Sequence, residues 1–518
     1  MKKIIFLLLI SIIAVYAQTA TPPSVGDGSE SNPYQIAILE NLYWIAADTS
    51  NWDKYYIQTT NINASNVIDW FNGKGWLPIA YEPGEYFSGS YNAQGYGISN
   101  LYINRPDKSE IGLFGSLYGA NILNLFLTDL IIMGQDCIGG IAGSAYDSYI
   151  TNCHTDGIIQ AVYEQNSYYG GANVGGLIGI GSGIIDSCTS MANVTGDHPV
   201  GGIIGLLSFN SLVKNCVFRG TVNASVSGGI AGGNSSKISQ CVNKGKIYGS
   251  WMAGGISGSC LSAMDEINPR LLIDKCYNEG EISGNISGTT RIGGVAGHAY
   301  NAIISDCYNV GKVSGSTATG GLIGYIQTHV EIRNSYNAGD VSNGNGGLIG
   351  YQFSPWSIEI MNCFWDIDSS GLSISDGGIG VTTHEMKTDT TFISNGWDFD
   401  ETWTINDTNN NGYPYLLWNE EIIGQITPLI PESNILKQNY PNPFNPSTTI
   451  SYEIREDSYA KLDVYSITGQ LVETLADGYH QAGAYSINWN AGNYSSGIYI
   501  YRLEYGEKHI SRKMVLLK

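Results

Sequence analysis

Three features of this sequence predict an all-β chain, a right-handed parallel β-helix (a solenoid) followed by a small C-terminal β-sandwich. The first is a returning phrase, Gly-Gly followed by two small or aliphatic residues and another Gly, which opens at Gly139, Gly175, Gly201, Gly228, Gly254, Gly293, Gly320 and Gly346. Most openings are 26 or 27 residues apart, and the two longer intervals, 36 and 39, carry insertions. A fixed period of this size marks a solenoid, because one unit cannot bury its own apolar face and must stack on its neighbours. The second feature is a phrase inside each unit, as in Ile304-Ser-Asp-Cys-Tyr-Asn-Val-Gly-Lys-Val313 and Ile332-Arg-Asn-Ser-Tyr-Asn-Ala-Gly-Asp-Val341. Its short β-branched runs, cut by Gly and Asn, suit strands of a few residues, three to a rung. The third is a run of alternating strands after Leu436.

In the repeated phrase Ile stands three before Cys, an odd offset that strand alternation cannot place on one face, so a corner must intervene. The residue before Cys (Asn152, Asn215, Asn362, and Asn334 before Ser335) is read as that corner, since Asn tolerates positive φ. Handedness follows from the chirality of parallel crossovers. Seven of the nine cysteines (Cys153, Cys188, Cys216, Cys241, Cys276, Cys307 and Cys363) share one slot, which Ser335 fills in the repeat that lacks Cys. Stacked slots lie about 4.8 Å apart with parallel Cβ vectors, beyond the roughly 3.5–4.5 Å that a disulfide prefers, so a buried thiol ladder is expected. Cys137 and Cys260 lie off it.

In chain order, residues 1–17 read as a signal peptide, with Lys2-Lys3, an apolar core from Ile4 to Val15 and Ala17 before Gln18. No other stretch is apolar enough to span a membrane, so the mature chain is expected to have no transmembrane segment. Residues 18–110 form an N-terminal cap and the first rungs. Pro33-Tyr-Gln-Ile suggests a strand and Leu42-Tyr-Trp-Ile a capping helix, because an open solenoid end would otherwise pair with other molecules. Residues 111–365 carry the regular repeats, from the divergent Ile111-Gly-Leu-Phe-Gly onward. Residues 366–418 break the spacing as a C-terminal cap, residues 419–435 with Pro428 and Pro431 read as a linker, and residues 436–518 form the last domain.

Charge narrows the function classes. With 25 basic and 46 acidic residues the net charge is −21, and the segment from Leu436 is neutral, with eight of each sign. The negative solenoid repels nucleic acid and anionic membranes and keeps the chain soluble, so no nucleic-acid partner is expected.

The glycine phrase, the Asn-Cys-Tyr-Asn-x-Gly phrase and the lead-in together resemble the GLUG-motif repeats of bacterial secreted and surface proteins. The resemblance covers about Gly26 to Trp418, including Phe364-Trp-Asp and Gly412-Tyr-Pro-Tyr-Leu416. It implies an adhesin-like protein or a module like the N-terminal regions of IgA-protease-type metallopeptidases. The C-terminal segment begins with Asn439-Tyr-Pro-Asn-Pro-Phe-Asn-Pro and continues through strands around Ala460-Lys-Leu-Asp-Val-Tyr and Gly497-Ile-Tyr-Ile-Tyr-Arg-Leu503. It resembles the sorting domain of the type IX secretion system. That resemblance implies the type IX machinery as a partner, export through the outer membrane, and retention on the surface or release.

Catalytic motifs are sparse, and no catalytic residue is assigned. His384-Glu385-Met-Lys-Thr lacks the second His of a zinc-peptidase helix, and the other histidines are scattered. A polysaccharide lyase or hydrolase is the enzymatic alternative, with Asp186, Asp274 and Asp306 as candidate carboxylates beside the ladder. No cofactor is expected beyond possible calcium at Asp407, Asn409 and Asn411, where the twelfth position is Trp418 rather than Glu and Pro414 intrudes. Binding is the favoured class: 35 Tyr against 12 Phe exceeds what a core needing bulk alone requires, and exposed rings suit a surface glycan or protein ligand. The insertion from Tyr163 to Ala172, with Tyr163, Tyr168 and Tyr169, is the expected ligand-binding loop, and a second insertion runs from Leu261 to Arg270.

Overall fold

The computed structural model describes residues 18–518 except 82–83, 163–172, 262–269, 355–356, 419–434, 440–441, 455–457, 481–482, 507 and 518. The chain divides into two units, Met1–Asn419 and Glu420–Lys518.

The first unit is a parallel β-helix in which each strand pairs with its equivalent one coil later, as Ile238 pairs with Ile273, Ile273 with Ile304 and Ile304 with Ile332. The coils are divided between two sheets rather than built from three strands. The coil after Gly293 places Ala296–Tyr300 and Ala302–Ser305 in one sheet, then Tyr308–Asn309, Val313–Ser314 and Ala318–Gly320 in the other. Coiling begins early, with Tyr34–Ile36 pairing parallel to Tyr55–Gln58. The helix Leu39–Ala47 lies over this end and buries Leu39, Leu42 and Ile45. Its Trp44 meets the Tyr34 ring edge-on at 5.3 Å, which ties it to the first strand. Among the described residues no helix is long and apolar enough to cross a membrane.

The corner before each ladder residue is left-handed, with φ between 46° and 54° at Asn152, Ser187, Asn215, Gln240, Lys275, Asp306, Asn334 and Asn362. That backbone turns the next side chain inward, and all seven ladder cysteines are buried and free; off the ladder, Cys260 is buried and free and Cys137 is half-buried and free. Each ladder thiol donates to the carbonyl two residues back, as Cys188 Sγ does to Asp186 O at 3.2 Å. It can also accept from the preceding coil: the Cys153 N–H meets Cys188 Sγ at 3.4 Å. Ser335 reproduces both contacts, taking the Cys307 N–H at 3.0 Å and donating to Arg333 O at 2.8 Å. The slot therefore ties one corner to the next, a task that requires a small donor and acceptor.

Two residues beyond the ladder runs a buried amide column. Asn243 Nδ2 donates to Asn278 Oδ1 at 2.6 Å, Asn278 to Asn309 at 2.7 Å and Asn309 to Asn337 at 2.7 Å. Each amide also closes its own turn, as Asn278 does with the Gly280 N–H and carbonyl. Every polar atom of the column finds a partner, which is what makes its burial tolerable. The second glycine of the repeated pair gives it room: a Cβ on Gly255 would meet Asn278 Cγ at 2.5 Å, and one on Gly321 would meet Asn337 Cγ at 2.2 Å. The glycine phrase and the Asn phrase are thus two sides of one packing contact.

Residues 366–418 do more than close the end. Ile379–Val381 adds a strand to Phe364–Asp366, after which residues 382–418 double back along the side of the solenoid. They cover a stack of tyrosines from successive coils, Tyr277 on Tyr308 at 4.7 Å and Tyr308 on Tyr336 at 5.2 Å, with rings within 6° of parallel. Trp403 packs on Tyr308 and Tyr336, and Trp418 on Tyr277. The strap is pinned by Trp397 Nε1–H to Asn362 O at 2.9 Å and by Tyr336 Oη–H to Pro414 O at 2.6 Å.

The second unit packs two antiparallel sheets. One holds Ile435–Leu436, Ser447–Ile454 and Gly483–Asn490; the other holds Leu471–His480, Ser458–Ser466, Gly497–Tyr505 and Lys508–Leu516. Trp489, Tyr501, Leu503 and Leu462 fill the space between them. Tyr501 Oη donates to Lys437 O at 2.7 Å and accepts the Asn439 N–H at 2.8 Å, fixing the proline-rich entry to the sandwich.

Candidate functional site

Parallel register turns one position of the repeat into a row. The residue after the third glycine of each phrase is Ser144, Ile180, Leu206, Gly233, Ser259, His298, Tyr325 and Tyr351 in successive coils, each paired with the next. Its side chains are small or aliphatic at first and aromatic in the last three coils. Tyr325 and Tyr351 stack at 5.6 Å, His298 meets the edge of Tyr325 at 5.1 Å, and Phe353 stands 6.4 Å from Tyr325. Tyr351, on the strand Ile349–Gln352, is 45% exposed, and Phe353, in the bend just past it, is 62% exposed, leaving two large rings open to solvent at one end of the row.

The glycine-pair corner brings two residues of the other sheet to this row. The Arg291 guanidinium lies 4.2 Å from the Tyr325 ring centroid and 5.7 Å from that of Trp251, which is itself exposed. Arg291 Nη1 lies 3.2 Å from His298 Nδ1, and His298 Nε2 lies 3.1 Å from Gln327 Oε1. Arginine can only donate, so Nδ1 accepts and Nε2 carries the proton that goes to Gln327. Burial, with the Arg291 charge second, pushes the His298 pKa down to about 4 and keeps the ring neutral. The assembly from Trp251 through Arg291 and Tyr325 to Phe353 is an apolar platform with one fixed cation.

The sites expected from sequence distribute differently. Tyr163, Tyr168 and Tyr169 lie outside the described residues. Asp186 pairs with Lys214 at 3.1 Å and Asp274 with Lys237 at 3.6 Å. Three register steps, about 14 Å, separate Asp186 from Asp274, more than the roughly 5–9.5 Å between paired glycosidase carboxyls, whereas Asp274 pairs in register with Ser305 and so lies one coil from Asp306. Asp306 occupies a left-handed corner under the strap and accepts Trp403 Nε1–H at 3.2 Å, with burial raising its pKa. At the calcium candidate, Asn406 rather than Asp407 organises the turn, accepting the N–H groups of Thr408 and Asn409. The Asn409 amide is given to Tyr415 Oη at 2.9 Å, and Asn411 sits at φ 53°. Among the described residues no three His, Cys, Asp or Glu converge on one point. The aromatic row itself was available to sequence reading through the Tyr that follows Gly324 and Gly350. Trp251 and Arg291 carried no such signal, because only the corner brings them alongside.

Comparison with known proteins agrees with this layout. Residues 438–517 match the secretion system C-terminal sorting domain and residues 288–314 the GLUG motif. The chain is 33% identical over 204 residues to halomucin of Haloquadratum walsbyi, covering 38% of this chain and 2% of that protein. It is 30% identical over 409 residues to a protein described as a Gly-rich membrane protein of Evansella cellulosilytica, covering 75% of this chain and 45% of the relative. It is 26% identical over 207 residues to the immunoglobulin A1 protease of Streptococcus sanguinis, covering 35% of this chain and 11% of that one. The chain thus spans less than half the length of each of these relatives.

Proposed function

We propose that this chain, a GLUG-repeat β-helix carried out of the cell to its surface by a type IX sorting domain, is an adhesin-like binding protein whose ligand lies on the row from Trp251 to Phe353. The observation that carries the reading is the exposure of Tyr351, stacked on Tyr325 in strand register, with exposed Phe353 in the bend just beyond it. A row of rings at interstrand spacing offers successive apolar faces to a glycan chain, and rings held by register lose little entropy on binding. Earlier coils fill the same position with Ser144, Gly233 and Ser259, so the repeat itself does not call for a ring there.

The reading is non-catalytic. A glycan array probed with the exported chain tests it, scored both for retention and for shortening of the bound polysaccharide. Retention without shortening is expected, and the Tyr351→Ala, Phe353→Ala double variant should bind at least about tenfold more weakly at unchanged thermal midpoint. Shortening by the wild-type chain would favour the lyase or hydrolase alternative. Equal binding by the double variant would move the ligand off this row.

A further inference from the structure

We propose that the ligand of this row is an anionic polysaccharide, its rings lying on Tyr325, Tyr351 and Phe353 and its acid groups taken by Arg291. The inference rests on the binding reading above and adds the ligand's chemistry. Arg291 is fixed before any ligand arrives: Tyr325 lies against its guanidinium at 4.2 Å, Trp251 flanks it, and His298 takes one N–H. A guanidinium offers five N–H donors in a planar fork, so four remain for an acid group.

Among the described residues no carboxylate pairs with Arg291, whereas Arg270 and Arg333 both pair with Glu331. An unpaired, stacked arginine inside an exposed aromatic row, on a chain with 46 acidic residues, is the reverse of what that composition would place there by chance. The net charge of −21 opposes a polyanion at long range. At physiological ionic strength, however, charges beyond about 8 Å are screened, and the local cation decides the contact. The neutral His298 matters here too, because only an unprotonated Nδ1 can accept the N–H that holds the Arg291 fork in place. Carboxylated and sulfated sugars share the chemistry that Arg291 recognises.

The test compares polygalacturonate, dextran sulfate and neutral dextran by affinity electrophoresis of the whole exported chain. Wild type should be retarded by one or both acidic polymers and little by dextran. Arg291→Gln should lose at least about tenfold in affinity for the acidic polymer while Arg291→Lys recovers part of it, and thermal melts should confirm that both variants fold. Preference for polygalacturonate assigns the acid group as carboxylate, and preference for dextran sulfate assigns it as sulfate. Equal retardation by dextran, unchanged in Arg291→Gln but weakened in Tyr351→Ala, would overturn the anionic assignment and leave the binding row standing. Binding to all three polymers that neither variant alters would overturn both.

Discussion

Gly294 and Asn309 face each other so closely that a Cβ on the glycine would stand 2.3 Å from the amide carbon of Asn309. Asn309 cannot retreat, because its amide is bonded to Asn278, Asn337 and both polar atoms of Gly311. Gly294→Ala should therefore cost about 1–3 kcal/mol, typical of an overpacked core. Gly288→Ala, whose Cβ meets nothing nearer than 3.2 Å, should cost much less. Urea midpoints of the two variants check this, and equal midpoints would show that the amide column yields.

The thiol ladder gives a chemical expectation. Cys153, Cys188, Cys216 and Cys276 are buried and burial holds their pKa values well up, so thiol reagents should label few cysteines in the folded chain and most after denaturation without reduction. Cys188→Ser should be nearly neutral, as Ser335 is in its own coil. Cys188→Val leaves the Cys153 N–H without its acceptor and should cost about 1–3 kcal/mol. Disulfide-linked ladder peptides in mass spectra would contradict the first expectation.

Stability should respond to pH through His154 and His298. Burial pushes both pKa values down to about 4, against roughly 6.5 in an unfolded chain. Between these values the unfolded chain takes up protons that the folded chain refuses, so stability present above pH 6.5 is lost as pH falls towards 4. His154 packs beside Phe126 and pairs with the Thr189 hydroxyl, and His154→Phe should flatten part of the decline between pH 6.5 and 5. A variant with the same slope as wild type would refute the assignment.

The sorting domain provides an expectation for export. It forms a separate unit with its own core, so deleting residues 436–518 should leave the solenoid folded and held in the periplasm. Surface labelling of intact cells reads the outcome, and normal display of the truncated chain would remove the sorting role.

The corner was legible because Asn152, Asn215, Asn334 and Asn362 advertise positive φ. Gln240, Lys275 and Ser187 take the same conformation without any such preference, held there by the coils above and below. The division into two sheets was not legible, since strands of two or three residues leave no periodicity to count. Tyrosine abundance suited either exposed contact faces or ladders that stiffen the rungs; Tyr277, Tyr308 and Tyr336 form such a ladder, buried under a segment far away in sequence, as Trp403 is from Asp306 and Asn410 from Tyr336. Side-to-side burial of that kind leaves no local pattern. Arg291 escaped for a similar reason, because its neighbours Trp251 and Tyr325 each belong to a different coil.

The strap over the tyrosine stack also decides how the molecule would carry load. It joins the solenoid to everything that follows, so tension applied from the C-terminal side reaches residues 382–418 before it reaches any coil. Because those residues run back along the side, the pull peels Trp418, Trp403 and Trp397 from Tyr277, Tyr308 and Tyr336 in turn. Trp418 stands first in that line, whereas Trp403 and Trp397 pack on each other at 4.5 Å and share Tyr336. A load from that side therefore meets the strap on one sheet, while the aromatic row of Tyr325 and Tyr351 lies on the other.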